Sequence, residues 1–278
     1  MGRKDMDIEL LKEKWTLKKK DTASERAAWD SIAGDYLHTE RHSFSSDSFL
    51  RFVDEKASPD SAMKVLDVGC GAGAYSMAFA GRCESVDGVD LSAEMIRLAE
   101  GYASSHGISN ARFSVCDWHS CDPGSFRGRY DLVFAHNTPA IGDFDSFMKL
   151  ISSSRKYCFM SRPARRTDSV FDRVREIAGI VPDGTDTIPL IFEILWELGS
   201  SPEFRYDKTV WTDERSPDEA ATWYLGRLRG RYDIDDPTER KIRSFLSDIA
   251  VDGKVREVTE TTVVSIFWTV DDIKKTYM

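Results

Sequence analysis

Between residues 63 and 162, short apolar runs alternate with segments in which apolar residues recur every three or four positions. MKVLDVG (63–69) is a short apolar run ending in glycine, and AYSMAFAGR after it reads as a helix. SVDGVD (85–90) is a second strand. LSAEMIRLAEGYASSHG follows as a helix with Ser92 as N-cap, Met95, Leu98, Ala99 and Tyr102 on one face, and Gly107 as its stop. ARFSVCD (111–117) and RYDLVFAH (129–136) are the third and fourth strands. Phe144, Phe147, Met148 and Ile151 then make another helical face, and KYCFMSR (156–162) is a fifth strand. Five short strands separated by helices predict right-handed βαβ units and a mostly parallel sheet covered on both faces.

The flanks follow other patterns. Residues 1–20 are polar and Lys-rich and read as an arm. A helix from about Ser24 sets Trp29, Ile32 and Tyr36 on one packing face, with Glu25, Arg26 and Asp35 solvated. The loop SFSSDS precedes FLRFVDEKA, which Pro59 terminates. After Arg162, Asp168–Gly179 reads as a helix with Val170, Phe171, Val174 and Ile177 inward. Ile188–Leu198 is apolar on nearly every side, so it is fully buried or forms the wall of a pocket or interface. EFRYDKTVWT (203–212) reads as a strand. Ser216-Pro217 and Asp236-Pro237 each place an N-cap before a proline at the first helical position. The chain closes with VREVTETTVVSIFWTV, a hairpin arm or one long strand.

Composition narrows the class. With 278 residues, 41% of them hydrophobic and 31% charged, the chain fits a soluble globular protein of one large domain, or a domain with an appendage. No run approaches the roughly 20 apolar residues of a membrane helix, and MGRKDMDIELLKEKW carries charge where a signal peptide is apolar. A net charge of −9 weighs against duplex nucleic acid as the main partner. Cys70, Cys83, Cys116, Cys121 and Cys158 never form C-x-x-C, which fits a reducing cytoplasm. Cys116, His119 and Cys121 lack a fourth ligand at metal spacing, so no metal site is expected.

The chemistry concentrates in Asp67-Val68-Gly69-Cys70-Gly71-Ala72-Gly73, where a strand ends in an acid and glycines fall at alternate positions before a helix. Such glycines let a ligand approach the main chain, and free N–H groups beyond them suit a carboxylate or phosphate. Asp90 ends the second strand, where an acid can accept from two ribose hydroxyls. Gly69-x-Gly71-x-x-Ala74 also satisfies the dinucleotide fingerprint, which alone is a weak signal. Asp67 can meet an ammonium group, and Asp117-Trp118 can hold an adenine amine and flank its ring. An ammonium, a ribose and an adenine together match S-adenosylmethionine better than NAD.

DVGCGAG, VDGVDLS, CDW and YDLVFAHN, in this order and spacing, resemble the successive motifs of class I S-adenosylmethionine-dependent methyltransferases of the small-molecule type over about residues 24–162. The resemblance implies an α/β, Rossmann-like, mostly parallel seven-stranded sheet with helices on both faces. The strand near 203–212 and the final strand would complete that sheet. A helical lid would come from the N-terminus and a late insertion, giving an arm over 1–60, a core over 61–215, an insertion over 216–250 and a last strand within 251–278. Asp67, Gly69, Cys70, Gly71 and Gly73 would hold the methionine moiety and Asp90 the ribose, while Leu91 and Met95 flank the adenine beside Asp117 and Trp118. Tyr36 resembles the aromatic placed over the cofactor carboxylate.

The end of the fourth strand should lie beside the transferable methyl, and there the chain reads His136-Asn137-Thr138-Pro139-Ala140. Methyltransferases acting on bases or glutamine often carry two prolines and an aromatic here. The second proline and the aromatic are missing, which argues against those acceptors. A base is needed only if the acceptor keeps a proton. His136 is the candidate, adjoining the cofactor and joined by Asn137, with His38, His42 and His119 as alternatives; His106 reads as a helix-end residue. Arg155–Arg175 is basic, and Arg162, Arg165 or Arg166 could recognise an anionic acceptor. Trp196, Trp211, Trp223 and Tyr224 would line the lid around a small-molecule acceptor, Trp196 and Trp223 touching substrate. The sequence thus points to a cytoplasmic methyltransferase using S-adenosyl-L-methionine, with self-association into a homodimer left open. The other readings are an RNA or protein methyltransferase, a nicotinamide-dependent oxidoreductase, and a non-catalytic S-adenosylmethionine-binding protein.

Overall fold

The structure, a computed structural model, describes residues 8–16, 22–36, 42–181, 186–229 and 232–273. The chain separates into two compact units. The first comprises Met1–Arg162, Thr187–Tyr206 and Val264–Met278, and the second Pro163–Asp186 and Asp207–Val263. The sequence divides the chain at 60, 215 and 250 instead. The difference arises because three long strands, β5 (Ser154–Asp168), β6 (Glu203–Arg215) and β7 (Val255–Thr269), each continue from one unit into the other.

The remaining strands are β1 (Lys64–Val68), β2 (Ser85–Asp90), β3 (Ala111–Val115) and β4 (Tyr130–His136). The seven form one sheet in the order β3-β2-β1-β4-β5-β7-β6. The pairs β2–β3, β1–β2, β1–β4 and β4–β5 are all parallel. β7 runs antiparallel to β5, since the Val270 N–H donates to Lys156 O at 2.9 Å while Ser161 and Ser265 share a hydroxyl contact of 2.9 Å. The order reverses between β1 and β4, and a sheet wound this way opens its ligand crevice at those strand ends. The final apolar stretch is one strand, settling the two options that its sequence leaves open.

β1 is buried from Val65 to Val68, with no polar alternation, because helices cover both faces. On one face, α3 (Ser48–Ala57) presents Phe49, Leu50, Phe52 and Val53 to Val65, Val86, Phe134 and Phe159 of the sheet. Its apolar residues recur at helical spacing and Asp47 caps it, accepting from the Leu50 N–H at 2.9 Å. Elsewhere in the first unit, α6 (Phe144–Ser153) sets Phe147 between Trp15 and Trp268 at ring distances of 5.4 and 5.5 Å. The other elements of this unit are α1 (Ile8–Lys14), α2 (Thr22–Ile32), α4 (Ala74–Ala80), α5 (Ala93–Ser105) and α8 (Thr187–Glu197).

The second unit has its own core. Val170, Phe171 and Val174 of the segment around α7 (Phe171–Ile177) pack with Ala221, Tyr224 and Leu225 of α9 (Pro217–Arg229). Ile242 and Leu246 of α10 (Asp236–Asp248) complete it. The Phe171 and Tyr224 rings stack at 5.5 Å.

Three local expectations need correction. The α2 face carrying Trp29 and Ile32 is not buried, and no residue of that helix is. Its fastening to α5 is polar: Asp30 accepts from the Ser92 hydroxyl and, at 3.3 Å, from the Glu94 N–H. The strand β5 runs on to Asp168, so α7 starts at Phe171 rather than at 168. The cap of α10 is Asp235, which accepts from the Thr238 N–H at 2.8 Å, leaving Asp236 inside the helix and Pro237 at its second position. The two adjacent acids are chemically equal, and only the backbone, extended at Asp235, decides between them. Asp235→Ala is therefore expected to lower the thermal unfolding midpoint by about 2–4 °C, and Asp236→Ala to change it far less; differential scanning calorimetry of both variants checks this.

Candidate functional site

The site forms where β1 gives way to its glycine loop. Asp67 is only 2% exposed, and the Ser76 hydroxyl of α4 donates to it at 2.6 Å. Burial pushes its carboxyl pKa up to about 7. The Ser76 bond opposes this and the charge of Asp90 adds to it. The loop then crosses the end of β2, with the Gly69 and Cys70 N–H groups donating to Val89 O at 2.8 and 3.0 Å. Asp90 clamps it from the other side, accepting from the Gly71 N–H and the Ser92 N–H, each at 2.9 Å. Burial raises the Asp90 pKa against those donors. A carboxylate has about four acceptor positions, so Asp90 keeps capacity for further donors.

Two glycines are required by their surroundings. Gly69 has φ +73°, and a Cβ there would lie 2.0 Å from Thr138 Oγ1, where the chain leaving β4 packs against the loop. Gly73 has φ +83°, and its Cβ would meet Ala99 at 3.0 Å and Phe113 at 3.2 Å. Cys70 has a thiol pKa raised well above its ordinary value by burial, with Asp67 and Asp90 adding to the effect, so it is no nucleophile.

Asp67, Gly69, Cys70, Gly71, Gly73 and Asp90 are thus brought together as one construction. Beside it, Leu91 is half-buried, while Met95 is buried on the inner face of α5, whose N-cap is Ser92 as its sequence predicts. Asp117 accepts from the His119 N–H at 3.1 Å and the Ser120 hydroxyl at 2.9 Å, turning the chain after β3. Trp118 faces the interior. It is 2% exposed, its indole N–H donates to Ser146 O at 3.0 Å, and Phe126 meets its ring at 5.1 Å. The apolar interior under α6 wins over a place at the surface. Tyr36 ends a turn after α2 and is 40% exposed.

At the end of β4, His136 lies between Phe49 and Tyr75, with ring distances of 4.5 and 4.1 Å. Burial lowers its pKa to about 4. The charge of Asp47 opposes that shift and His42 reinforces it. Its Nδ1 is enclosed without a partner, and its Nε2 lies 3.1 Å from Asn137 Nδ2. Asn137 is exposed and turns the chain at φ +49°. His38 lies outside the described residues. His119 Nδ1 lies 3.6 Å from Asp143, and His106 Nδ1 closes the end of α5 on Tyr102 O at 2.9 Å.

Two neighbours of His136 that sequence reasoning passed over are Tyr75 and Asp47. The Tyr75 hydroxyl donates to Asp47 Oδ2 at 3.1 Å, and the same oxygen lies 3.1 Å from His42 Nδ1. The available signals were an Asp two positions before the apolar run FLRFV and an aromatic two positions after the last loop glycine.

The basic run is engaged with neighbouring groups. Arg155 pairs with Asp131 at 3.3 Å, Arg166 meets both oxygens of Asp168 at 2.9 Å, Arg173 pairs with Glu176 and Arg175 with Asp172. Arg162 donates to Ile141 O at 3.0 Å. Ile188–Leu198 is neither fully buried nor uniformly exposed: Ile191, Ile194 and Leu195 are buried, whereas Trp196 is 44% exposed and stacks on Phe192. Trp223 belongs to the second unit, with the Arg215 guanidinium over its ring at 4.7 Å. Among the described residues, no three His, Cys, Asp or Glu side chains converge as metal ligands.

Residues 59–177 match the family model of a methyltransferase domain. A ubiquinone biosynthesis O-methyltransferase of Thiobacillus denitrificans is 39% identical over 79 residues, 28% of this chain and 34% of that protein. A 2-heptyl-1-hydroxyquinolin-4(1H)-one methyltransferase of Mycobacteroides abscessus is 42% identical over 77 residues, 27% of this chain and 34% of that protein. The match thus spans about a third of the length of these curated relatives. Among solved structures, a putative methyltransferase of Bacillus halodurans superposes with a TM-score of 0.52 at 14% identity, covering 80% of this chain and 99% of that one, which shows the shared fold.

Asp67 makes the fold sensitive to pH on its own account. A carboxyl that titrates near 7 when folded and near its ordinary value when unfolded destabilises the folded state as pH rises through that window, and fully above it. Asp67→Asn stays neutral. Without ligand it is expected to exceed the parent protein in stability by about 2–4 kcal/mol at pH 8, the difference vanishing near pH 4. Urea unfolding at both pH values measures it.

Proposed function

We propose that this chain, which carries a methyltransferase domain of class I fold, transfers a methyl group from S-adenosyl-L-methionine to a small-molecule acceptor. The observation that carries the reading is Asp67. A carboxylate sunk in the sheet with donors from Ser76 alone, its hydroxyl and its backbone, is under-compensated, and a cationic group at the crevice would supply the missing charge. The α-ammonium of the cofactor is such a group. The backbone of Gly69, Cys70, Gly71 and Gly73 would line its methionine portion. Asp90, already holding Gly71, would take the ribose hydroxyls with its remaining acceptor positions. Leu91 would flank the adenine and Asp117 accept from its amine, with Met95 and Trp118 bracing the site from within rather than touching the ring.

The cofactor supplies an electrophilic methyl on a sulfonium. The chain's part is to hold the acceptor in line with it and to exclude water. A small acceptor is favoured by the relatives, whose names specify ubiquinone biosynthesis and a hydroxyquinolone. The ion pairing of the basic run argues against its use as a nucleic-acid footprint. A cytoplasmic setting suits the five unpaired cysteines. Among the described residues no helix is long and apolar enough to cross a membrane.

Calorimetric titration with S-adenosylmethionine, S-adenosylhomocysteine and NAD tests the reading. Both adenosyl ligands are expected to bind, and Asp90→Ala to weaken them about 10- to 100-fold. Because Asp67 must ionise to meet the ammonium, affinity should fall by about tenfold per unit as pH drops below 7. Binding of NAD alone overturns the proposal.

A further inference from the structure

His42, Asp47, Tyr75, His136 and Phe49 form a cluster that the cofactor assignments leave unused. The His42 ring stacks on Tyr75 at 4.3 Å and 13°, and Tyr75 in turn meets His136 at 4.1 Å. Tyr75 is the second residue of α4, just after the glycine loop, and His136 ends β4 two residues before Thr138, which packs on Gly69. The cluster therefore lies at the ends of β1 and β4, where this sheet opens its crevice. Both histidines belong to it, and they differ in what they can do.

His136 is a poor base. Its pKa near 4 leaves little driving force for taking a proton at neutral pH, and its Nδ1 is enclosed. His42 is placed otherwise. Its side chain is partly exposed, and its Nδ1 lies 3.1 Å from Asp47 Oδ2. Asp47 is itself fixed: it caps α3 through the Leu50 N–H and accepts from the Tyr75 hydroxyl at 3.1 Å. Burial works to raise its pKa, but the bonds from His42, Leu50 and Tyr75 outweigh it, so Asp47 is held ionised. Tyr75 is shifted upward by burial and by Asp47, and stays a neutral donor. An ionised carboxylate on Nδ1 selects the tautomer with the proton there and leaves Nε2 as the acceptor. An imidazole oriented by a partly buried, ionised carboxylate is the arrangement of a general base.

Resting on the methyl-transfer reading above, we propose that His42, oriented by Asp47, is the general base of this site and that the acceptor is a hydroxyl on an aromatic ring. The acceptor's O–H bond breaks and its proton passes to His42 Nε2. The acceptor oxygen forms the new bond to the methyl carbon as the carbon–sulfur bond breaks. The electron pair of that bond stays on sulfur, leaving a neutral thioether. The imidazolium is balanced by Asp47 and loses its proton to water. His42 and Tyr75, both only partly buried, leave ring surface at the outer edge of the cluster, which suits an aromatic acceptor. His42 is the catalytic residue. Asp47 and Tyr75 are positioning residues.

The test uses the full chain with two acceptor probes, 4-methylcatechol, protonated at neutral pH, and 4-nitrothiophenol, already ionised there. S-adenosylhomocysteine calorimetry on every variant keeps the two proposals separate, since a parent protein without that binding fails the methyl-transfer reading itself. The parent is expected to methylate the catechol. His42→Gln should slow the catechol about 10²-fold or more and the thiolate far less, with S-adenosylhomocysteine binding kept. Asp47→Asn keeps a competent N-cap but loses the charge that balances His42, so it should slow the catechol by more than the thiolate. Asp47 and Tyr75 face His42 directly and His136 lies one ring further, and neither Tyr75 nor His136 changes charge in the neutral range. Tyr75→Phe, which removes one donor that fixes Asp47, should show a smaller selective slowing of the catechol. Equal slowing of both probes, no slowing of the catechol by His42→Gln, or S-adenosylhomocysteine binding with neither probe methylated overturns the proposal.

Discussion

At the end of β1 the chain places a carboxylate inside the sheet, and the surrounding loop is arranged about that placement. Asp67 has the Ser76 hydroxyl beside it and Asp90 close enough to raise its pKa further. Two acids near one another in a dry environment repel, so each needs its own donors. Asp90 finds them in the Gly71 and Ser92 N–H groups, and those bonds pull the glycine loop across the end of β2. The geometry of the crevice is a consequence of keeping these two acids side by side. An apolar residue at 67 would make a calmer sheet, with nothing for a cation to meet.

The helix α2 is fastened by polar groups as well. α2 buries no side chain, yet Asp30 reaches the first turn of α5 and accepts from Ser92, the residue that caps it. A carboxylate at a helix N-terminus is stabilised by the unpaired N–H groups there. One helix thereby reads the start of another without an apolar seam. α3 is the opposite case. Its five buried apolar residues sink into the sheet, and its cap, Asp47, is free to face the aromatic cluster.

Much of this was legible in the sequence. The strand–helix alternation, the sheet it builds, the glycine loop flanked by Asp67 and Asp90, and the Ser92 cap all rest on short-range patterns. The losses have physical reasons. A helical stripe of Trp29, Ile32 and Tyr36 says that a face exists, not that anything covers it. Trp118 offers a ring to either a ligand or the interior, and its indole N–H finds Ser146 O only after the chain has folded. Asp235 and Asp236 differ in backbone angle alone. The group of His42, Asp47, Tyr75 and His136 joins a loop, a helix and a strand separated by up to 94 positions, seen by subtracting 42 from 136, and no local spacing encodes it. The long strands β5, β6 and β7 hid the second unit, because a strand that crosses from one core to another shows no break in its pattern.

The contact between Gly69 and Thr138 links two segments that the chain visits far apart. Any side chain at 69 collides with the hydroxyl and methyl at 138, and no rotamer at 69 avoids it, since a Cβ has none. Thr138 is also tied down, as its hydroxyl accepts from the Ala140 N–H at 3.2 Å. The two positions are therefore free to drift only as a pair, with the second giving up bulk before the first can gain it. Even then the positive φ at 69 disfavours every residue but glycine. Among descendants of this sequence, variation at 138 should be constrained by a neighbour that itself never varies.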